Sequence, residues 1–212
     1  MVAVALVVFS LLYLYYAIVI TPMALLFWGL TIGIPQLFRF SRKFSTEKLN
    51  SLLLILLVLS IFSSFLALFN YWDVAQNGIS SFSIDQTYFS QKAFDLAQSP
   101  SLTKLFLDSF YSTPAYHIIN SFNGAIVYLD LQLTGESNLF TLLLSVVLIT
   151  SWISAVLYSL FQKFVDQDAA LKWALLFGLL SPIMSRSGFL LRDVHVTLLT
   201  VIVLNWLFEP FK

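Results

Sequence analysis

Long stretches of this chain contain no charged residue, among them 1–38, 49–72 and 137–162. About 18 or more consecutive apolar residues are enough to cross the hydrocarbon core as a helix. These runs therefore constrain the fold before any motif does. Overall 10% of residues are charged and 59% hydrophobic, against about 25% charged in ordinary soluble domains. The expectation is an all-α, polytopic membrane protein forming a single membrane domain over 1–212. Segments of about ten residues with alternating polarity, the mark of a membrane β-barrel, are not seen.

Residues 1–38 are too long for one span, because 38 helical residues would reach roughly 57 Å across a core of about 30 Å. Thr21-Pro22 supplies a break, with Thr as N-cap and Pro at the first helical position. Two spans follow, near 2–20 and 22–38; one tilted, kinked helix is the alternative. The start MVAVALVVF lacks a basic n-region and reads as a retained first span. Gly29-x-x-x-Gly33 is the spacing that lets two helices approach closely, although the motif is weak alone.

RFSRKFSTEK (39–48) holds Arg39, Arg42, Lys43 and Lys48, and short basic loops stay cytoplasmic. Further spans are expected near 50–71, 138–161, 171–190 and 194–208, about six in all, with both termini cytoplasmic. An outer segment, 73–136, carries Asp73, Asp85, Asp95, Asp108, Asp130 and Glu136 against Lys92 and Lys104. Within it, residues 86–99 read as an amphipathic helix and 116–133 as a helix lying in the interface. If the latter spans instead, every later orientation flips. The absence of an Asn-x-Ser/Thr sequon fits a bacterial inner or plasma membrane.

Zero net charge gives no basic surface for nucleic acid, and the lack of Cys removes thiolate metal sites, disulfides and Cys nucleophiles. The two histidines, His117 and His195, need acids to complete a metal site and read more simply as interfacial or hydrogen-bonded residues. No cofactor is implied, and a divalent metal stays open.

SRSGFLLRDVH (185–195) places Arg186, Arg192, Asp193 and His195 between two uncharged runs. The arginines snorkel to headgroups while Asp193 opens a helix; or Arg and Asp pair internally; or the cluster marks a substrate path. Two arginines, an Asp and a His at one membrane face suit a phosphate or pyrophosphate.

From about Asp85 to Trp206 the chain resembles the integral-membrane glycosyltransferases of the C superfamily, including the mannosyltransferase-like members. The residues that carry this are DQTYFSQKAFDLA, where an acid precedes a Tyr on an amphipathic helix, AYHIINSF…LTGESNLF, the hairpin LFTLLLSVVLITSWISAVLYSLFQKF, and ALLFGLLSPIMSRSGFLLRDVHVTLL. The resemblance implies sugar transfer from a polyprenyl-phosphate-linked sugar to a glycan or lipid acceptor at the outer face. It makes Asp85 the general base and Asp73 the second candidate. Arg192 and Arg186 would bind phosphate, Asp193 would orient Arg192, and Tyr88 and His195 would complete the substrate site. Family members usually have eight or more spans, so the resemblance implies a short or N-terminal version, inactive alone or completed by a partner membrane subunit. A polysaccharide or O-antigen polymerase-like protein and a non-catalytic membrane scaffold are the alternatives.

Overall fold

The computed structural model describes residues 1–40, 45–78, 84–180 and 192–208, and the side chains of all of these except 38–40, 84, 85 and 192. Among them every regular element is helical: α1 (Val2–Val19), α2 (Ala24–Phe40), α3 (Thr46–Asn77), α4 (Ile84–Ala97), α5 (Leu102–Ser112), a 3₁₀ turn (Pro114–Tyr116), α6 (His117–Thr134), α7 (Leu139–Phe161), α8 (Gln167–Leu180) and α9 (Arg192–Leu207). Three helices, α1, α3 and α7, are long and apolar enough to cross a membrane. The apolar parts of α2 and α9, Ala24–Leu37 and Asp193–Leu207, are shorter.

The chain breaks where Thr21-Pro22 interrupts it. Thr21 Oγ1 accepts from the Met23 N–H at 3.3 Å. Trp28 Nε1 then donates to Ser10 Oγ at 3.0 Å. Along one helix, even a kinked one, residues 18 apart would lie about 27 Å from each other. The first run is therefore an α1–α2 hairpin. The close helix packing expected at Gly29 and Gly33 is not found, since a Cβ at either would meet nothing within 4 Å.

α3 begins at an N-cap, Ser45 Oγ accepting from the Lys48 N–H, and ends at Gly78 with φ +75. A left-handed residue closes a helix in this way, and glycine adopts it without a Cβ penalty. The helix runs 32 residues, longer than the expected 50–71, because helix formation outlasts the apolar run that signals a span. It packs antiparallel to α7 in one continuous register. Ser60 and Ser151 hydroxyls meet at 2.9 Å, and the Tyr71 and Phe140 rings at 5.5 Å. α7, capped by Asn138 accepting from the Phe140 N–H, is the central helix, and 78% of its apolar window is buried.

The contacts at the helix ends fall into two sets, one at each end of the helices. At one end Asn138 Nδ2 donates to the Ile20 carbonyl (3.1 Å), the Thr21 and Thr141 hydroxyls meet (3.2 Å), and Asn70 and Gln86 pair through their side-chain amides. At the other, Gln167 Nε2 donates to Ser51 Oγ, Lys163 Nζ to the Asn205 carbonyl, and Phe164 packs edge-on to Phe208. Successive long elements thus alternate in direction.

Residues 84–134 are more structured than their sequence implied. α4 covers the expected amphipathic helix, and α5, with Ser101 accepting from the Lys104 N–H, was not anticipated. α6 is inverted relative to a helix in water. Asn120, Asn123 and Asp130 are buried, while Ile118 and Leu133 are 74% and 69% exposed. Asn120 Nδ2 donates to Thr113 Oγ1 at 2.8 Å on the inward side, and the outward Ile118 and Leu133 suit apolar surroundings. Asp130 accepts from the Asn138 N–H (3.0 Å) and from Thr134 Oγ1 (3.3 Å), which ties the end of α6 to the start of α7.

Candidate functional site

The start of α6 and the start of α9 form the two walls of one cleft. Lys163 and Phe164, just past α7, contact Asn205 and Phe208 at the end of α9, so α7 and α9 are level there and run parallel. His195 lies twelve residues before the end of α9, and Ile149 twelve before the end of α7. At about 1.5 Å per residue both sit about 18 Å from that end, and they do line the same cleft. α7 continues ten residues, about 15 Å, beyond Ile149. The opening turn of α9, with Asp193, therefore lies part-way down α7 and not level with its first residue.

The cleft encloses about 490 Å³. Phe110, Tyr116, Phe122, Ile149, Val196 and Leu199 give it an apolar wall, and His117 and His195, the only histidines in the chain, also line it. Each imidazole is held edge-on to a ring: His117 to Phe110 at 5.3 Å and His195 to Phe122 at 5.5 Å. His117 Nδ1 also shares a hydrogen bond with Ser121 Oγ at 3.2 Å. Pockets with apolar walls and a few convergent polar groups are the usual form of a small-molecule site.

Of the residues singled out from sequence, His195 is in this wall. Tyr88 borders it through Tyr116, their rings 6.4 Å apart, while Tyr116 itself lines the cleft. Asp193 is exposed in the first turn of α9. Arg192 opens α9, and Asp85 lies in the first turn of α4; in both cases the backbone is described and the side chain is not. Arg186 lies outside the described residues. Asp73 is near the end of α3, accepting from Asn77 Nδ2 at 2.8 Å. α4 packs along α6, α6 against α7 and α9 along α7, so α6 and α7 stand between the helix of Asp85 and that of Arg192.

His117, read from sequence as an interfacial or hydrogen-bonded residue, does hydrogen-bond to Ser121, but its place in a cleft with Phe110 and Phe122 was not anticipated. The visible signal was Thr-Pro-Ala-Tyr-His, a proline turn delivering an aromatic and a histidine to a helix start. Nothing local to that motif pairs it with a residue 78 positions later. Among the described residues no group of three or more His, Cys, Asp or Glu is arranged to hold a metal.

Among the described residues, the fold and cleft define an all-helical protein with membrane-length apolar helices and a side pocket between α5, α6 and α9. No family model, curated protein or solved structure matches this chain.

Proposed function

We propose that this chain is a membrane glycosyltransferase, or a short version of one, that moves a sugar from a polyprenyl-phosphate carrier to a glycan or lipid acceptor at the outer membrane face. The observation that carries the reading is the apolar cleft whose wall includes His195, one turn into the helix that Arg192 and Asp193 open. An isoprenoid chain suits such walls, and a phosphate suits the arginine, whose guanidinium binds oxyanions in pairs. On this reading Asp85 removes the proton from an acceptor hydroxyl. The acceptor oxygen bonds to the anomeric carbon as its bond to the phosphate oxygen breaks, and Arg192, aided by Arg186, neutralises the departing phosphate. Asp193 orients Arg192, Tyr88 borders the sugar, and Asp73 is the second candidate base. The protein sits in a bacterial inner or plasma membrane with six spans and both termini cytoplasmic. A partner membrane subunit would cover α1, whose apolar window is 17% buried.

The test is transfer of radiolabelled sugar from polyprenyl-phosphate donors in membranes carrying the full chain. Asp85→Asn is expected to lower the rate by about 10²–10⁴-fold, the range of general base catalysis. Arg192→Gln is expected to weaken donor use. Full activity in Asp85→Asn removes the assigned base. Absence of transfer by wild-type chain, alone and with its co-purifying membrane partners, removes the enzyme and leaves the scaffold.

A further inference from the structure

α5 carries neighbouring rings that face different spaces. Phe110 lines the apolar cleft, while Tyr111 lines a second, polar cleft of about 450 Å³ between α4 and α5. Their rings are 5.6 Å apart at 81°, so the two spaces adjoin. Successive helical residues point about 100° apart around the axis, which is why one short helix serves both.

The polar cleft is lined by Lys92, Asp95, Ser99, Asp108, Tyr111 and Ser112 over a floor of Leu96, which is 4% exposed. Its groups are pre-set by their own contacts. Asp108 is paired with Lys104 at 2.8 Å and accepts from Ser99 Oγ at 3.3 Å. The Lys104 hydrogen bond, helped by Lys92, holds the Asp108 carboxyl below the usual carboxylate range, so it stays an acceptor. Asp95 accepts from Gln91 Nε2 at 3.1 Å through one oxygen. Tyr111 is 78% exposed, which leaves its ring open to a ligand. Two carboxylates against Lys92 and Lys104 leave no net charge to attract a phosphate or a basic peptide.

We infer that this cleft between α4 and α5 binds a neutral saccharide, with a pyranose ring against Tyr111 and its hydroxyls donating to Asp95 and Asp108 and accepting from Lys92. A sugar offers one face of C–H bonds and an edge of hydroxyls, which is the complement of an aromatic ring beside acceptors and an ammonium. Its place beside the apolar cleft deepens the transferase reading and rests on it for one point only, that the saccharide belongs to a glycan handled by the adjoining site.

The experiment is saturation-transfer NMR on the detergent-solubilised full chain with a panel of neutral methyl glycosides. At least one is expected to receive saturation. Tyr111→Ala is expected to weaken its binding by about three- to tenfold, Tyr111→Trp to retain it, and Asp108→Asn to weaken it by a similar factor. Asp85→Asn is expected to bind like wild type, which separates this site from the reaction. If binding persists and transfer is never found, the cleft assignment stands and the transferase reading falls. No saturation for any glycoside, or equal binding by wild type and Tyr111→Ala, overturns the inference.

Discussion

Gly178 is the position at which α8 approaches the α3–α7 pair most closely among the glycines described. A Cβ there would come within 2.7 Å of Leu59 Cδ1 and 2.7 Å of Ser154 Oγ, distances that real Cβ atoms do not show. Both neighbours are buried, Leu59 at 0% and Ser154 at 2% exposure, so neither has open space to move into. Gly178→Ala should therefore carry an overpacking cost of about 1–3 kcal/mol. Alanine gains about 0.5–1 kcal/mol over glycine within a helix, which offsets part of it. The net expectation is about 0–2.5 kcal/mol of destabilisation. Gly33→Ala is the control, because its Cβ meets nothing within 4 Å and it should be neutral or stabilising. The assay is reversible unfolding in mixed micelles followed by helical circular dichroism. Leu59→Ala opens the wall and costs stability itself, but Gly178→Ala made in that background should cost at least about 1 kcal/mol less than in wild type. A Gly178→Ala protein as stable as Gly33→Ala, or no coupling with Leu59, would show that the close approach of α8 is not what the packing argument requires.

Asp130→Ala removes the acceptor for the Asn138 N–H at the junction of α6 and α7. Because the carboxylate is 1% exposed, the loss should be about 1–3 kcal/mol in the same unfolding assay. The Asp108 carboxyl, lowered first by its Lys104 hydrogen bond, stabilises α5 above the ordinary carboxylate range and loses that contribution as pH falls through its depressed value. The pair is exposed, so added salt should weaken the effect, and NMR titration of Asp108 should move upward in Lys104→Ala.

What the sequence by itself determined is the three long apolar helices α1, α3 and α7. Backbone groups in hydrocarbon must be satisfied within their own segment, so long uncharged runs have to be helices. The expected 138–161 is observed as Leu139–Phe161 because the Asn138 cap and the apolar run agree at that boundary. Thr21-Pro22 likewise marks a true reversal, since a cap residue followed by proline acts through its own backbone. The inverted α6 was not legible in the same way. Hydrophobic periodicity reports that two faces differ, and only packing against α4, α5 and α7 decides that Asn120, Asn123 and Asp130 turn inward. α5 was missed although its eleven residues carry a clear helical period; it is short, and its place is fixed by the Ser101 cap and by Leu105 buried against α6. The cleft depended most on tertiary structure. His117 and His195 come together only because α9 begins part-way down α7, where the first turn of α6 faces it. That offset depends on where two long helices meet at their far ends, a contact at Lys163 and Asn205 that no local stretch of sequence encodes.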